Sequence, residues 1–362
     1  MADKIPLQTR LRVSFCAIVW FILFCTFFLG ALALTAWSQW LFWLFVTVAF
    51  IIALPISWGI RRYAKPVNSK LAHFIKTATL TLFILTSILT LPFYYLAYYS
   101  EAHPLIMPQA VLTNGKKTVT FQGMVHVGSE NFYKSVIYDL EMALDDGYQL
   151  YYEGITPSTP EADAWFSKVI AGGGSLSANY RDIASVCGVE FQLDYFQLMA
   201  RDMQKRPDQH ITTDVTTEAL QNEYTRLMKD DPEFVNSVGK ENASENESSD
   251  DTAKQVITFI HSANEGQKTI IGVLCRGFFS IRLQASAGNT PQALDPLLLD
   301  FRNQHLAKQI IADSSEKIYI TYGAAHLPGV IKLLKEADPT WELKSLKWLR
   351  GMAAPEHLEG QL

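Results

Sequence analysis

Charge is what this chain lacks first. Residues 13–37, 40–60 and 77–99 contain no Asp, Glu, Lys or Arg. A helix on the surface of a soluble protein needs a polar face, so three such runs in succession exclude an ordinary water-soluble N-terminal region. Each run reaches the ~20 residues a helix needs to cross a bilayer. The spans also lack ionisable groups in their apolar stretches, which argues against a transport pathway through them. Cysteine is scarce: four among 362 residues. Cys16 and Cys25 lie inside the first run, leaving Cys187 and Cys275 for the rest of the chain. Those two either pair, as an oxidising compartment would permit, or stay as buried free thiols, and sequence leaves both open. Beyond the apolar runs there is no basic stretch, and the net charge is −5, which excludes nucleic acid as the expected partner. Gly172-Gly173-Gly174 lacks the Lys-Ser/Thr of a phosphate loop nearby, so nucleotide binding is not expected.

What is present divides the chain into a membrane anchor at residues 1–100 and an extracytoplasmic domain at 101–362. Lys4, Arg10 and Arg12 precede the first span, and Arg61, Arg62, Lys65 and Lys70 lie between the second and third. The connection at Ser38-Gln39 is uncharged. The excess of Lys and Arg on one side places the N-terminus in the cytoplasm, and three crossings put the domain outside it. The expectation is therefore a multi-pass protein of a bacterial inner membrane, in contact with the lipid bilayer, with a periplasmic or extracellular domain. The first run is too long for a cleaved signal peptide. Trp37, Trp40 and Trp43, and Tyr94, Tyr95, Tyr98 and Tyr99, suit membrane–water interfaces.

The second half opens with a hairpin. Ala110-Val-Leu-Thr and Thr118-Val-Thr-Phe flank Asn114-Gly115, a strong turn signal. Phe132, Val136, Leu140 and Leu144 recur every four residues and predict a helix, and Tyr148 to Tyr152 then predict a strand ending at Glu153. Strand, helix, strand in this order is a βαβ unit, which places His126 and Glu153 on neighbouring strand ends. Further helices are predicted at about 217–228, 302–312 and 328–336, the last with Pro328 in its first turn. Further strands are predicted at 269–274 and 317–322, the first of them leaving Arg276 at a strand end. Residues 236–254 are polar and acidic and predict a disordered loop. The alternation of strands and helices predicts an α/β domain, a mixed sheet with flanking helices, preceded by three transmembrane helices.

Two copies of one signature bracket this domain: Gly123-Met-Val-His126 and Gly323-Ala-Ala-His326. Each follows a β-prone run and precedes a helix, so each histidine is expected at a sheet edge, where α/β folds bind ligands. Glycine there permits a sharp turn or a close approach. His126, Glu153 and His326 make a three-ligand set that leaves a coordination position open for water, as a catalytic divalent ion requires. Such an ion would acidify the water and polarise a scissile carbonyl. The plainer alternative is that each histidine caps a strand or bonds a neighbouring helix.

These residues resemble the TraB/PrgY/GumN and TIKI family, within the superfamily of erythromycin esterase-like and ChaN-like proteins. The resemblance rests on the paired Gly-x-x-His motifs, the strand-end Glu153, and the stretch Phe301-Arg-Asn-Gln-His-Leu-Ala-Lys-Gln-Ile310 followed by Ile318 to Gly329. It spans about residues 116–340 and is thin between 155 and 265. It implies an erythromycin esterase-like/ChaN-like fold and a metal-dependent hydrolase, peptidase-like, using manganese, cobalt or zinc and acting on extracytoplasmic peptides. By the same resemblance the alternative is a non-catalytic protein that sequesters a peptide or small ligand. His126, Glu153 and His326 would hold the metal, with Glu153 also catalytic. Arg302 would contact substrate or stabilise an oxyanion, and Asp214 matches a weaker family acid on the substrate side. A structural alternative for Arg302 is an ion pair with Asp300 or Glu316. After Glu153 the chain reads Gly-Ile-Thr where many members carry a second acid, which leaves a second carboxylate ligand without a candidate there.

The topology has a direct check. A reporter active only in the cytoplasm, fused after Leu362, is expected to stay silent, while one active only outside the cytoplasm is expected to work.

Overall fold

A computed structural model describes residues 6–64, 69–172, 175–245, 258–260, 262–286 and 292–353. The chain forms two compact units, residues 1–99 with 262–274, and residues 100–261 with 275–362.

The first unit is built on α1 (Leu7–Trp37), α2 (Gln39–Ala64) and α3 (Lys70–Ala102). All three are long and apolar enough to span a bilayer, with mean hydropathies of 2.5, 2.2 and 1.8. Hydrophobicity alone does not hold helices together in lipid; close packing and hydroxyl bonds do. Gly30 of α1 lies so close to α3 that a Cβ there would stand 2.2 Å from Thr86 Cγ2. Thr26 Oγ1 and Ser87 Oγ share a hydrogen bond of 2.7 Å, and the Tyr94 hydroxyl donates to the Leu29 carbonyl at 2.7 Å.

The second unit is a mixed α/β domain. Its sheet contains β1 (Leu105–Thr113), β2 (Thr118–Met124), β4 (Gln149–Tyr152), β6 (His210–Thr212), β7 (Lys317–Gly323) and β8 (Glu342–Met352) in the order β6-β4-β7-β2-β1-β8. β6, β4, β7 and β2 run parallel; β1 is antiparallel to β2 and β8. A small ladder joins β3 (Val127–Gly128) to β5 (Glu190–Phe191). The predicted hairpin is present, with Gly115 at φ 82° and Asn114 Oδ1 accepting from the Lys116 and Lys117 amides. The βαβ unit is present too, but β7 lies between β2 and β4, which corrects the reading that they are neighbours. The run Ile318 to Tyr322 is buried on both faces, and a central position is where such a strand belongs.

Alternation along the strands assigns two cores. One face carries Ala110, Leu112, Val119, Phe121, Ile318 and Ile320 against α12 (Arg302–Ala312) and α13 (Leu327–Ala337). The other carries Met107, Met124, Leu150 and Tyr319 against α4 (Glu130–Asp145) and α6 (Leu176–Cys187). The four-residue spacing predicted for α4 is its buried stripe. A third cluster packs α5 (Pro160–Val169) and α9 (Thr217–Asp230) with α10 (Pro232–Glu245). Shorter helices, α7 (Gln192–Phe196) and α8 (Ala200–Lys205), follow α6.

Two expectations are corrected. Residues 236–245 are helical, not loop, because Asp231 Oδ1 caps the Glu233 and Phe234 amides and Phe234 and Val238 enter the third core; residues 246–254 of the predicted loop lie outside those described. Residues 269–274 are not a strand but the middle of α11 (Glu265–Ser286). Thr269-Ile-Ile-Gly-Val-Leu274 has strand propensity, yet Asn264 and Gln267 exchange side-chain-to-amide bonds of 3.0 and 2.9 Å. That reciprocal pair starts a helix. Residues of α11 up to Leu274 group with the membrane helices and those from Cys275 with the α/β unit.

Cys187 and Cys275, 88 positions apart in sequence, form a disulfide with Cα atoms 4.9 Å apart. Arg276, placed at a strand end by the sequence, sits instead on α11 and donates to the Cys187 carbonyl at 2.6 Å. In the chain-entropy treatment a loop of this length contributes about 4–5 kcal/mol. Reduction, or the Cys187→Ser/Cys275→Ser double variant, is expected to lower the Tm of the α/β unit, read by near-ultraviolet circular dichroism.

Candidate active site

Four parallel strands finish on one edge of the sheet, and each delivers one of the residues singled out above. Met124 of β2 is followed by His126, Tyr152 of β4 by Glu153, Thr212 of β6 by Asp214, and Gly323 of β7 by His326. Strand carboxyl ends are where α/β sheets build their sites. Arg302, at the start of α12, reaches across them.

Arg302 is the centre of the cluster. Its Nε and Nη2 donate to Asp214 Oδ1 and Oδ2 at 3.0 and 2.6 Å, and Nη2 also donates to Glu153 Oε1 at 2.7 Å. Nη1 donates to the Leu298 carbonyl at 3.3 Å and faces His326 Nε2 at 3.3 Å. All five N–H groups are thus committed inside the protein. Asp214 is equally saturated, accepting from the Gly154 and Val215 amides at 3.0 and 2.8 Å, and its side chain is 0% exposed. In this arrangement both side chains are buried and paired within the protein. The ion pair expected with Asp300 or Glu316 is made with Asp214 and Glu153 instead.

Glu153 is the link to the surface. Its Oε2 accepts from the Gly323 amide at 2.6 Å. Burial raises its pKa, but the charge of Arg302 and its hydrogen bond, helped by the neighbouring histidines when they are protonated, outweigh this and leave it lowered. His326 is 3% exposed. Its Nδ1 bonds Asn303 Oδ1 at 2.8 Å, an acceptor that requires the ring to donate. The lone pair is then on Nε2, turned to Arg302. Burial, then the Arg302 charge, lowers the His326 pKa to about 4, so the imidazole is neutral at ordinary pH.

His126 differs from His326, and the two Gly-x-x-His copies are not equivalent. His126 is exposed, its ring stands 4.3 Å from the Tyr180 ring, and its carbonyl accepts from the Gln192 amide at 3.0 Å. Exposed on one side, it still has enough protein around it to lower its pKa, an effect offset in part by the charge of Glu153. The glycines differ as well. A Cβ on Gly123 would lie 2.8 Å from Pro108 and 3.0 Å from Ala324, whereas Gly323 has ordinary space and contributes its N–H. Gly329 is the constrained one in the second copy: a Cβ would stand 2.3 Å from Asn303 Nδ2. Tyr180, Gln192 and Asn303 were not singled out in the sequence. Asn303 lay within the quoted helix motif; Tyr180 and Gln192 reach His126 only because β3 pairs with β5.

A divalent ion held by His126, Glu153 and His326 would need lone pairs from each. The lone pair of His326 and one carboxylate oxygen of Glu153 face the Arg302 guanidinium, a fixed positive charge in the place of the metal, and the other oxygen holds Gly323. Two cations within a few ångströms in a buried site repel strongly. The residues in this arrangement do not fit a resident divalent ion, and among the described residues no group of three or more His, Cys, Asp and Glu is set to hold one.

No family model, curated protein or solved structure matches the chain.

The cluster imposes a pH dependence. Unfolded, His326 titrates near 6.5; folded, near 4. Between those values the unfolded chain binds more protons, so stability rises with pH. Stability is expected to fall by up to about 3 kcal/mol as pH drops through that window, and the slope should flatten in His326→Gln. The lowered pKa of Glu153 adds a separate loss only below its unfolded value of about 4.5. Urea unfolding at a series of pH values separates the two.

Proposed function

We propose that this protein is a membrane-anchored hydrolase of the TraB/TIKI kind, cleaving amide bonds in peptides outside the cytoplasm. The observation that carries this reading is the convergence of His126, Glu153, Asp214, Arg302 and His326 on the carboxyl ends of four parallel strands. The Cys187–Cys275 disulfide supports an oxidising compartment, as does the distribution of Lys and Arg around the three spans.

The chemistry follows from which groups face solvent. His126 is exposed and, with its pKa lowered, holds a free base at neutral pH; it takes a proton from water as the water attacks the scissile carbonyl. Glu153, kept ionised by Arg302 and the Gly323 amide, stabilises the imidazolium that forms. The proton then passes from His126 to the leaving amine. Asp214 fixes Arg302, and Arg302 fixes Glu153, so the carboxylate points one way before substrate arrives. No step is routed through a metal.

Purified full-length protein in detergent, given a mixed peptide library, tests this by mass spectrometry. Cleavage is expected, with kcat lost by His126→Ala and unaffected by chelator or by added manganese. Activity that requires manganese would return the metal reading and displace this mechanism. Peptide bound without turnover, and bound equally by His126→Ala, would replace the enzyme with a sequestering protein.

A further inference from the structure

The His126 ring is faced by a segment that lies outside the main sheet. Tyr180 belongs to α6, and its ring stands 4.3 Å from the imidazole at a tilt of 31°. Phe191 of β5 stacks on Tyr180 at 6.1 Å and 19°, and the Gln192 amide donates to the His126 carbonyl at 3.0 Å. One stretch of chain, residues 180–192, thus meets both the ring and the backbone of His126.

The ties that hold this stretch are unequal. The β3–β5 ladder joins it to the chain just after His126 through two residue pairs, Val127 with Phe191 and Gly128 with Glu190. A pairing of two short strands is marginal in water. The stronger tie lies at the end of α6. Gly188, with φ 61°, closes the helix and turns the chain toward β5. Immediately before it, Cys187 is bridged to Cys275 of α11, and the Cys187 carbonyl accepts from Arg276 at 2.6 Å. Tyr180, Ala184 and Cys187 recur at spacings of four and three, which puts them on one face of the helix; Ala184 and Cys187 are buried there. A bond made at Cys187 therefore fixes the face of α6 that presents Tyr180 to the imidazole.

We infer that the Cys187–Cys275 bridge is a redox device for the site, with Tyr180 as its positioning residue. Closed, it holds Tyr180 against His126; open, it frees α6, and the imidazole loses its fixed orientation. Closing it takes two hydrogens, as two protons and two electrons, from the thiols. They pass to the disulfide of an exchange partner, which leaves as a dithiol. The cytoplasm keeps thiols reduced, so the site is completed only after the domain has left it. The positioning of His126 stands without the hydrolase; the consequence for turnover rests on that reading.

The test uses full-length protein in detergent, carrying isotope-labelled histidine, below the Tm of the reduced form. A neighbouring aromatic ring displaces a proton resonance through its ring current. The His126 Hε1 signal, identified by its loss in His126→Gln, is expected to be displaced in the oxidised protein. Tyr180→Leu should abolish the displacement and Tyr180→Phe should keep it. Reduction by dithiothreitol, which ends as its own cyclic disulfide, is expected to move the signal to its Tyr180→Leu position, and so is Cys187→Ala/Cys275→Ala. The signals of His210, His305 and His326 should stay. A His126 signal still displaced once mass spectrometry has confirmed both thiols overturns the proposal. Collapse of all the histidine signals together makes the bridge a general staple and equally overturns it. Where peptide is cleaved, kcat should fall severalfold on reduction, and unchanged turnover would overturn the redox control. Absence of cleavage by the oxidised protein counts against the hydrolase alone, because the resonance still reports the positioning.

Discussion

The interaction on which the site depends is the ion cluster of Arg302 with Asp214 and Glu153. A guanidinium and two carboxylates taken out of water lose hydration worth several kcal/mol each, and only complete pairing with good geometry recovers it. Here the pairing is complete: every Arg302 N–H has an acceptor, and the oxygens of Asp214 receive two backbone amides as well. The cluster therefore sets the relative positions of β4, β6 and α12, and through Glu153 and the Gly323 amide that of β7. His326 is kept neutral by its burial first and by the same charge second, so Arg302 bears on both the geometry and the protonation of its neighbours.

Much of the α/β half can be read from the amino acids because its signals are local. The hairpin turn at Asn114-Gly115, the stripe of α4, the limits of α12 and the span of β7 all follow from periodicity and turn chemistry within a dozen residues. The apolar spans are legible for the same reason: absence of charge over twenty residues has one economical explanation. The site was legible as a set of residues, since strand-end Gly-x-x-His motifs and a strand-end Glu announce an edge, but not as an arrangement. Nothing local says that Arg302 would occupy the place given to a metal, because that depends on contacts 88 and 149 residues distant in sequence.

The failures have physical reasons of the same kind. Thr269 to Leu274 carries β-branched residues at strand-like density, and the Asn264–Gln267 cap outweighs them within a helix of 22 residues. Residues 236–245 look solvated by composition, yet two buried side chains, Phe234 and Val238, hold them to a core formed by distant helices. Tyr180 and Gln192 sit in segments with no motif. They meet His126 through a two-residue ladder too short to leave a periodic trace.

The position of β7 has a consequence for how such a protein must be made. It is the inner strand that both β2 and β4 require, yet it comes from residues 317–323 of 362. During synthesis the earlier strands emerge with their inward edges open, and open strand edges invite pairing with the wrong chain. The domain must wait, unsealed, for a piece delivered near its end. A ribosome that stalls before that piece leaves only a half-sheet for quality control to remove.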